Sequence, residues 1–394
     1  MSLLVLSASD VDALVSEFHP EELQLMMAKL FCRFSSQNSL EGSGEARNGT
    51  SLSMPTRLHL PMPNHTALFM PARVGPSSAA AGTLGDTSVK VVCVPNQSDP
   101  RGLPATTMVL DEKTGGVKAI VNARRLTALR NAAGTSRLGI ADVELISIFF
   151  LGSLLSTGLL SVSRPKSIVS FGAGQQIEAH LDLHLRHFPS ITRCTIVNRT
   201  RNGRAVFLYE KISYKFPGVT TQLFELDQSD AVKRVLGSAD IIICATSSTV
   251  PLFQASDVRA GTHIILIGSY KPEMKEVDKQ LVLRSLGGKL LVDSRVDCLR
   301  EAGELIDAGV QPEQMKEIGE LLPRDEQGDL DVLAFEGLLA SEKPTTTRSD
   351  FDGPVTIFKS VGIGVQDVVI AAAVVQKAFS REETIGTIIH EYDS

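Results

Sequence analysis

The chain has 394 residues, 43% hydrophobic and 21% charged, an ordinary globular composition that excludes a mostly disordered protein. That length is ample for large cores and, at roughly 150 residues per domain, for two to three domains. Lys plus Arg number 39 against 45 Asp plus Glu, a formal charge of −6, with no Trp and four Tyr. A mildly acidic chain without basic runs or stacking aromatics argues against a nucleic-acid partner.

The N-terminal stretch MSLLVLSASDVDALV lacks a basic flank and meets Asp10 and Asp12 early, so it reads as strand then helix rather than as a signal peptide. Residues 8–34 carry a helical apolar pattern, with Ser9 or Asp10 as the cap and Leu14, Phe18, Leu23, Leu25, Met26 and Leu30 supplying apolar faces. The polar, Gly/Ser-rich run 34–53 reads as an exposed loop. Short strands follow from 56 to 121: TRLHLPMP, TALFMPARV, SVKVVCVP, and a hairpin in TTMVLDEKTGGVKAIVN about a turn at 113–116. Residues 123–161 then read as long, small-residue-rich helix.

Within that stretch, 145–162 is eighteen residues without a charge, long enough to suggest a membrane span. Its five Ser and Thr and its isolation in the chain favour a core helix packed on a sheet, so no membrane partner is expected. The five cysteines (Cys32, Cys93, Cys194, Cys244, Cys298) are scattered, with no CxxC. They form neither a disulfide framework nor a zinc site, which points to a reducing, cytoplasmic compartment.

After Pro165 the pattern alternates, with strands expected at 167–171, 193–197, 239–245, 263–267 and 289–292 and helices between them. This is the rhythm of a doubly wound parallel sheet, and the fold class read here is α/β. The last stretch, GPVTIFKSVGIGVQDVVIAAAVVQKAFSREE, reads as strand, glycine turn and long helix; it breaks that rhythm and is assigned back to the first domain.

The strand at 167–171 runs into Gly172-Ala173-Gly174-Gln175 and then a helix, with Ile177 where a third glycine would stand. A tight turn at Gly172 and close backbone approach at Gly174 would set a dinucleotide pyrophosphate on the helix N-terminus. The competing reading is a tight βα turn without a ligand. The second strand ends in Asn198-Arg199-Thr200. No carboxylate is present for a ribose 2′-hydroxyl, whereas Arg199 suits a 2′-phosphate and Asn198 and Thr200 can donate beside it. NADPH is therefore the expected cofactor, with NADH possible, and Thr246 and Ser269 complete the expected cofactor set.

These segments resemble the ornithine cyclodeaminase/mu-crystallin family. The similarity is carried by FMPAR (69–73), SVKVV (88–92), LTALRNAAGTSRLG (126–139), FGAGQQIEAH (171–180) and IVNRT (196–200). LIGSYKPEMKEVD (266–278), LVDSRVDCLREAGEL (291–305) and TIFKSVGIGVQD (356–367) extend it in family order. The resemblance implies a homodimer with a substrate/dimerisation domain built from 1–139 and 346–394 around a Rossmann domain at 140–345. Residues 34–53 and 322–350 read as insertions. By the same resemblance Arg57, Lys90 and Arg130 bind the carboxylate of a small amino-acid-like substrate, with Tyr270 nearby and Lys90 and Arg130 as catalytic residues. Arginine supplies bidentate geometry for such a carboxylate.

Cyclodeaminases of the family carry an Asp after the strand that here reads HIILIGSYKP, and Tyr270 stands nearest that position. A phenol with a pKa of about 10 is a poor base at neutral pH. The expected activity is therefore NAD(P)H-dependent reduction of a small cyclic ketimine carboxylate, since reductases of the mu-crystallin type also lack this Asp. The alternatives are an ornithine- or lysine-type cyclodeaminase releasing ammonia, and a non-catalytic NADPH-dependent small-ligand binding protein. His180, His184 and His187 have helical spacing that could suggest a metal, but a structural role is the reading adopted and no metal is expected. Glu301, Glu304, Lys359 and Asp367 are read as packing or positioning residues.

Overall fold

The computed structural model describes residues 2–40, 52–76, 85–95, 104–123, 151–162, 164–341 and 350–392. The chain divides into two compact units, one of 1–149, 324–330 and 362–394, the other of 150–323 and 331–361. Among the described residues no helix is long and apolar enough to cross a membrane.

The first unit is built on a mostly antiparallel sheet. Its strands are β1 (Leu3–Leu6), β2 (Leu52–Ser53), β3 (Leu58–Pro61), β4 (His65–Val74), β5 (Asp86–Pro95), β6 (Ala105–Leu110) and β7 (Val117–Asn122). The C-terminal strand Thr387–Ile389 pairs with β1, and the order continues β1-β7-β6-β5-β4-β2 with β3 also on β4. In β5, Ser88, Lys90 and Val92 are buried while their neighbours are less so, the period-2 signature of a strand covered on one face. The helix Gly364–Phe379 covers that face, packing on β4, β5 and β6.

Two details of this unit differ from expectation. The first helix, Ala8–Ser16, is capped by Ser7, not by Ser9 or Asp10: Ser7 and Asp10 form a reciprocal capping box. The second helix, Pro20–Leu40, continues through 34–40, which reads as loop in the sequence; burial of Phe34 and Ser35 and the two bonds of the Gln37 side chain to the Leu52 backbone hold it against weak propensity.

The second unit holds an all-parallel sheet. Its strands are β8 (Ser167–Phe171), β9 (Arg193–Asn198), β10 (Thr220–Glu225), β11 (Ile241–Cys244), β12 (His263–Leu266), β13 (Leu290–Val292), β14 (Lys316–Glu317) and β15 (Thr356–Lys359). Their order is β10-β9-β8-β11-β12-β15-β13-β14. Every residue of β8, β11, β12 and β13 is buried, as a parallel sheet covered on both faces requires. The order reverses between β8 and β11, the switch point beside which open α/β sheets bind ligands.

The strand β15 corrects the sequence reading. Assigned there to the returning C-terminal segment, it inserts between β12 and β13 as a central strand, and the chain leaves this unit for the last time after Val361. A strand at Thr220–Glu225 was not anticipated; it is an edge strand with alternating exposure and few apolar residues.

The helix Leu151–Leu160 belongs to the second unit. Its hydroxyls explain the polar residues in the apolar run: Ser153 pairs with His180 at 2.9 Å, Thr157 with His184 at 3.0 Å and Ser156 with His263 at 3.1 Å. Two of the three helically spaced histidines thus serve as buried partners for hydroxyls. Their burial holds both rings neutral, pushing His184 down to about 4 and His180 well below its ordinary value. Residues 145–150, the first part of that apolar run, lie outside the described residues.

Candidate functional site

The geometry begins at the end of β8. Gly172 has φ +107°, a conformation that disfavours any side chain, and a Cβ there would lie 3.2 Å from the Ala245 carbonyl oxygen. Its N–H donates to Val197 O at 2.8 Å, fixing the turn. Ala173 is buried, and Gly174 is the N-cap of the thirteen-residue helix Gln175–His187, where no side chain caps the first amides. Gln175 is exposed, whereas Gln176 is only 2% exposed and neither of its amide atoms has a partner among the described residues. An uncapped helix start, a glycine turn that excludes side chains and an orphaned buried amide fit an anionic group lying against this loop.

At the end of β9, Asn198 is half-buried and donates its side-chain N–H to Thr200 O at 2.8 Å, while Arg199 and Thr200 are exposed. The turn therefore presents the Arg199 guanidinium to solvent beside the cradle's strand, and no carboxylate occupies the strand end.

Across the switch point, the ends of β11 and β12 are tied together by one side chain. Glu276, fully buried, accepts from Thr246 N–H at 2.6 Å and Thr246 Oγ1 at 3.0 Å through one oxygen, and from Gly268 N–H at 2.7 Å through the other. Burial raises its carboxyl to about 7, partly offset by Lys359 and by the two amides. The two loops approach so closely that a Cβ on Gly268 would lie 2.0 Å from Thr246 O. The next residue is held as firmly: buried Lys359 donates to Ser269 O at 2.6 Å and Ser269 Oγ at 2.7 Å and lies 3.1 Å from Glu304. Ser269 Oγ in turn donates to Glu304. The hydroxyls of Thr246 and Ser269, both expected at the cofactor, are thus engaged inside the protein. Tyr270 follows, half-buried.

In the first unit Lys90, fully buried on β5, meets Asp367 in the first turn of the helix Gly364–Phe379 at 2.7 Å. Asp367 Oδ2 has no partner among the described residues. Arg57 is half-buried just before β3, and Arg130 lies outside the described residues. Of the expected substrate cations, Lys90 is held in a buried ion pair.

Glu276 escaped the sequence reading because Glu273, Lys275 and Asp278 surround it, and a charged run reads as solvated loop. The one usable signal was its place within the family-like block LIGSYKPEMKEVD. Glu304, Lys359 and Asp367 drew attention as positioning residues, but nothing in the sequence paired them with Ser269 or Lys90.

A model of the ornithine cyclodeaminase/mu-crystallin family matches residues 153–382. The chain is 32% identical over 246 residues to Protein SAR DEFICIENT 4 of Arabidopsis thaliana, covering 62% of this chain and 69% of that protein. It is 30% identical over 285 residues to a Delta(1)-pyrroline-2-carboxylate reductase of Colwellia psychrerythraea, covering 71% and 75% of the two chains. The Thermococcus litoralis Delta(1)-pyrroline-2-carboxylate reductase, solved with NADH and L-proline, shares the fold at a TM-score of 0.70 and 22% identity over 98% of this chain and 99% of that one.

Proposed function

This chain belongs to the ornithine cyclodeaminase/mu-crystallin family, and from that premise we propose that it reduces the C=N bond of a small cyclic ketimine carboxylate with a nicotinamide cofactor, NADPH in preference to NADH. The observation that carries the reading is the strand end after β12. Where cyclodeaminases of the family carry Asp, this chain has Ser269-Tyr270, and the Ser269 hydroxyl is engaged by Lys359 and Glu304. A position without a carboxylate is poorly suited to activate water for deamination, whereas hydride transfer needs no such base.

When bound, the nicotinamide supplies a hydride to the imine carbon. The chain's own residues do the rest. The glycine turn at Gly172–Gly174 and the helix start at Gln175 hold the pyrophosphate, and Asn198, Arg199 and Thr200 hold the adenosine end. Arg199 pairs with the 2′-phosphate, a charge-assisted contact that NADH cannot make. Arg130 and Arg57 bind the substrate carboxylate and orient the C=N carbon, with Tyr270 against the ring. Lys90, paired with Asp367, delivers the proton that the nitrogen acquires, directly or through water. Imine, reduced cofactor and proton thus give amine and oxidised cofactor. Positioning by fixed cations supplies near-attack geometry worth several kcal/mol, an order of magnitude typical of preorganised sites.

In the same reading the first unit is the substrate and dimerisation domain, and the molecule is a cytoplasmic homodimer. None of the five cysteines forms a disulfide, which suits a reducing compartment.

The test is NADPH consumption against a panel of five- and six-membered cyclic ketimine carboxylates, with ammonia release from ornithine as counter-assay. Turnover of a cyclic ketimine without ammonia release is the expected result. Ammonia release from ornithine would overturn the reading in favour of a cyclodeaminase, and dinucleotide binding without turnover in favour of a ligand-binding protein.

A further inference from the structure

Three ionisable groups lie buried together behind the ends of β11, β12 and β15: Glu276, Glu304 and Lys359, none more than 1% exposed. Their roles are not equivalent. Glu304 has a cation 3.1 Å away and a hydroxyl donating to it. Glu276 is bonded by neutral donors, namely two backbone amides and one hydroxyl, all on the residues that follow β11 and β12. Those residues stand on the far side of the switch point from the glycine turn, where the nicotinamide half of a dinucleotide lies in a doubly wound sheet.

We propose that Glu276 is a positioning residue for the cofactor, a carboxylate clip whose ionised form holds the loops at Thr246 and Gly268 in the spacing that accepts the nicotinamide half of the dinucleotide. This rests on the cofactor reading above and adds to it a proton-linked element outside the phosphate cradle. The physical argument is one of acceptor capacity. An ionised carboxylate accepts at both oxygens, and here one oxygen takes two donors and the other takes one. A protonated carboxyl makes one oxygen an O–H donor and a poorer acceptor, which weakens the bond that oxygen takes from a strand-end N–H. The clip is then weakened on one side.

Geometry makes the spacing matter. Gly268 has no room for a Cβ beneath Thr246, and Gly303 has none beneath Met274 and Pro272, where a Cβ would lie 2.0 Å and 2.5 Å from the carbonyl oxygens. The 268–276 loop is therefore gripped by backbone contact at Gly268 and at 272–274, and the Glu276 carboxylate ties its end to Thr246 and Gly268.

The groups that face Glu276 are Lys359 on β15, Glu304 on the helix Gly303–Ala308 and the Cys244 thiol on β11. Lys359 favours the ionised carboxylate and Glu304 opposes it, while burial dominates both and lifts the group to about 7. Burial likewise raises the Cys244 thiol well above its ordinary value, so that it stays neutral and does not compete as a titrating group near pH 7. Glu276 is the carboxylate of this cluster without a direct cation, and burial raises it to about 7.

The experiment is a fluorescence titration of NADPH into the full-length wild type and Glu276→Gln between pH 6 and 8.5, with thermal melting of each protein alongside. The amide keeps the size of the side chain but cannot become a double acceptor at both ends. The wild type is expected to bind roughly three- to tenfold more weakly at pH 6 than at pH 8.5, the range set by one net hydrogen bond. Glu276→Gln is expected to show the weaker affinity throughout, so that the difference between the proteins appears above pH 7 and vanishes below it. The 2′-phosphate of NADPH titrates in the same range but contributes equally to both proteins and cancels in that difference.

A difference that does not change with pH, or equal affinities throughout, overturns the clip. Failure of the wild type to bind any dinucleotide overturns the cofactor reading itself, and the clip with it. Should Glu276→Gln not fold, Thr246→Val removes one donor and leaves the carboxylate in place. Its binding inflection must then move to higher pH; an unmoved inflection overturns the proposal.

Discussion

Lys90 and Asp367 stand 277 residues apart in the chain and meet at 2.7 Å, with side chains 0% and 3% exposed. The strand β5 brings one and the first turn of the helix Gly364–Phe379 brings the other. A buried pair of this kind contributes little net stability when intact but leaves an uncompensated charge when halved. Lys90→Met should therefore cost about 3–5 kcal/mol in denaturant unfolding. The double variant Lys90→Met/Asp367→Leu should recover most of that cost. Both should lose kcat in ketimine reduction, because proton delivery is gone in each. A double variant that regains stability and also full kcat would remove Lys90 from the chemistry and leave it a structural residue.

Arg199 separates the two dinucleotides. It is exposed at the end of β9, between Asn198 and Thr200. Arg199→Ala should weaken NADPH binding roughly tenfold, the scale of one charge-assisted contact, while leaving NADH within about twofold. Equal losses for both cofactors, measured by parallel titration, would mean that the side chain acts on a part of the dinucleotide common to both.

Legibility in the sequence followed the range of the interactions. The turn at Gly172 was readable because strand, glycine pair and helix are contiguous, and each signals itself locally. The hairpin between β6 and β7 was readable for the same reason: Gly115 takes φ +78° and the Asp111 and Gly116 backbones close the turn. By contrast, β10 is an edge strand whose sequence TTQLFE lacks the buried run of its neighbours, and β15 is ordered by partners nearly a hundred residues earlier. The pairs that build the candidate site are equally non-local. Ser269 meets Lys359 across ninety positions, and Glu276 reaches back thirty to Thr246. Residue type and spacing carry no signal for contacts made only by closing a parallel sheet.

Gly172 offers a test of the cradle that does not depend on substrate. Its φ of +107° and the Ala245 oxygen 3.2 Å from a built Cβ make Gly172→Ala strained whatever the neighbours do. A cost of roughly 1–3 kcal/mol in folding stability is expected, together with weakened dinucleotide binding, since relieving the contacts with Ala245, Thr246 and Ile177 must displace the turn. An alanine variant that binds NADPH as tightly as the wild type would show that the anion does not lie on this turn.

Acid stability depends on the buried histidines. In the folded chain His184 is pushed from 6.5 to about 4 by burial, partly opposed by its bond to the His180 carbonyl, and its Nε2 is taken by Thr157. In the unfolded chain the same ring titrates near 6.5, so between about pH 4 and 6.5 the unfolded state holds a proton that the folded state refuses. Stability must therefore fall as pH drops through that window, by roughly 1.4 kcal/mol per pH unit for each such group. Glu276 acts in the opposite sense: its folded value near 7 lies above its ordinary one, so its contribution is present at low pH and is lost as pH rises toward 7. The wild-type profile sums the two, and His184→Gln isolates the first. The variant should be less stable than the wild type at pH 7, and the gap should narrow steadily from pH 6.5 down to pH 4. A gap of constant size in urea melts across that range would show that His184 does not enter the folded state as a neutral, proton-refusing ring.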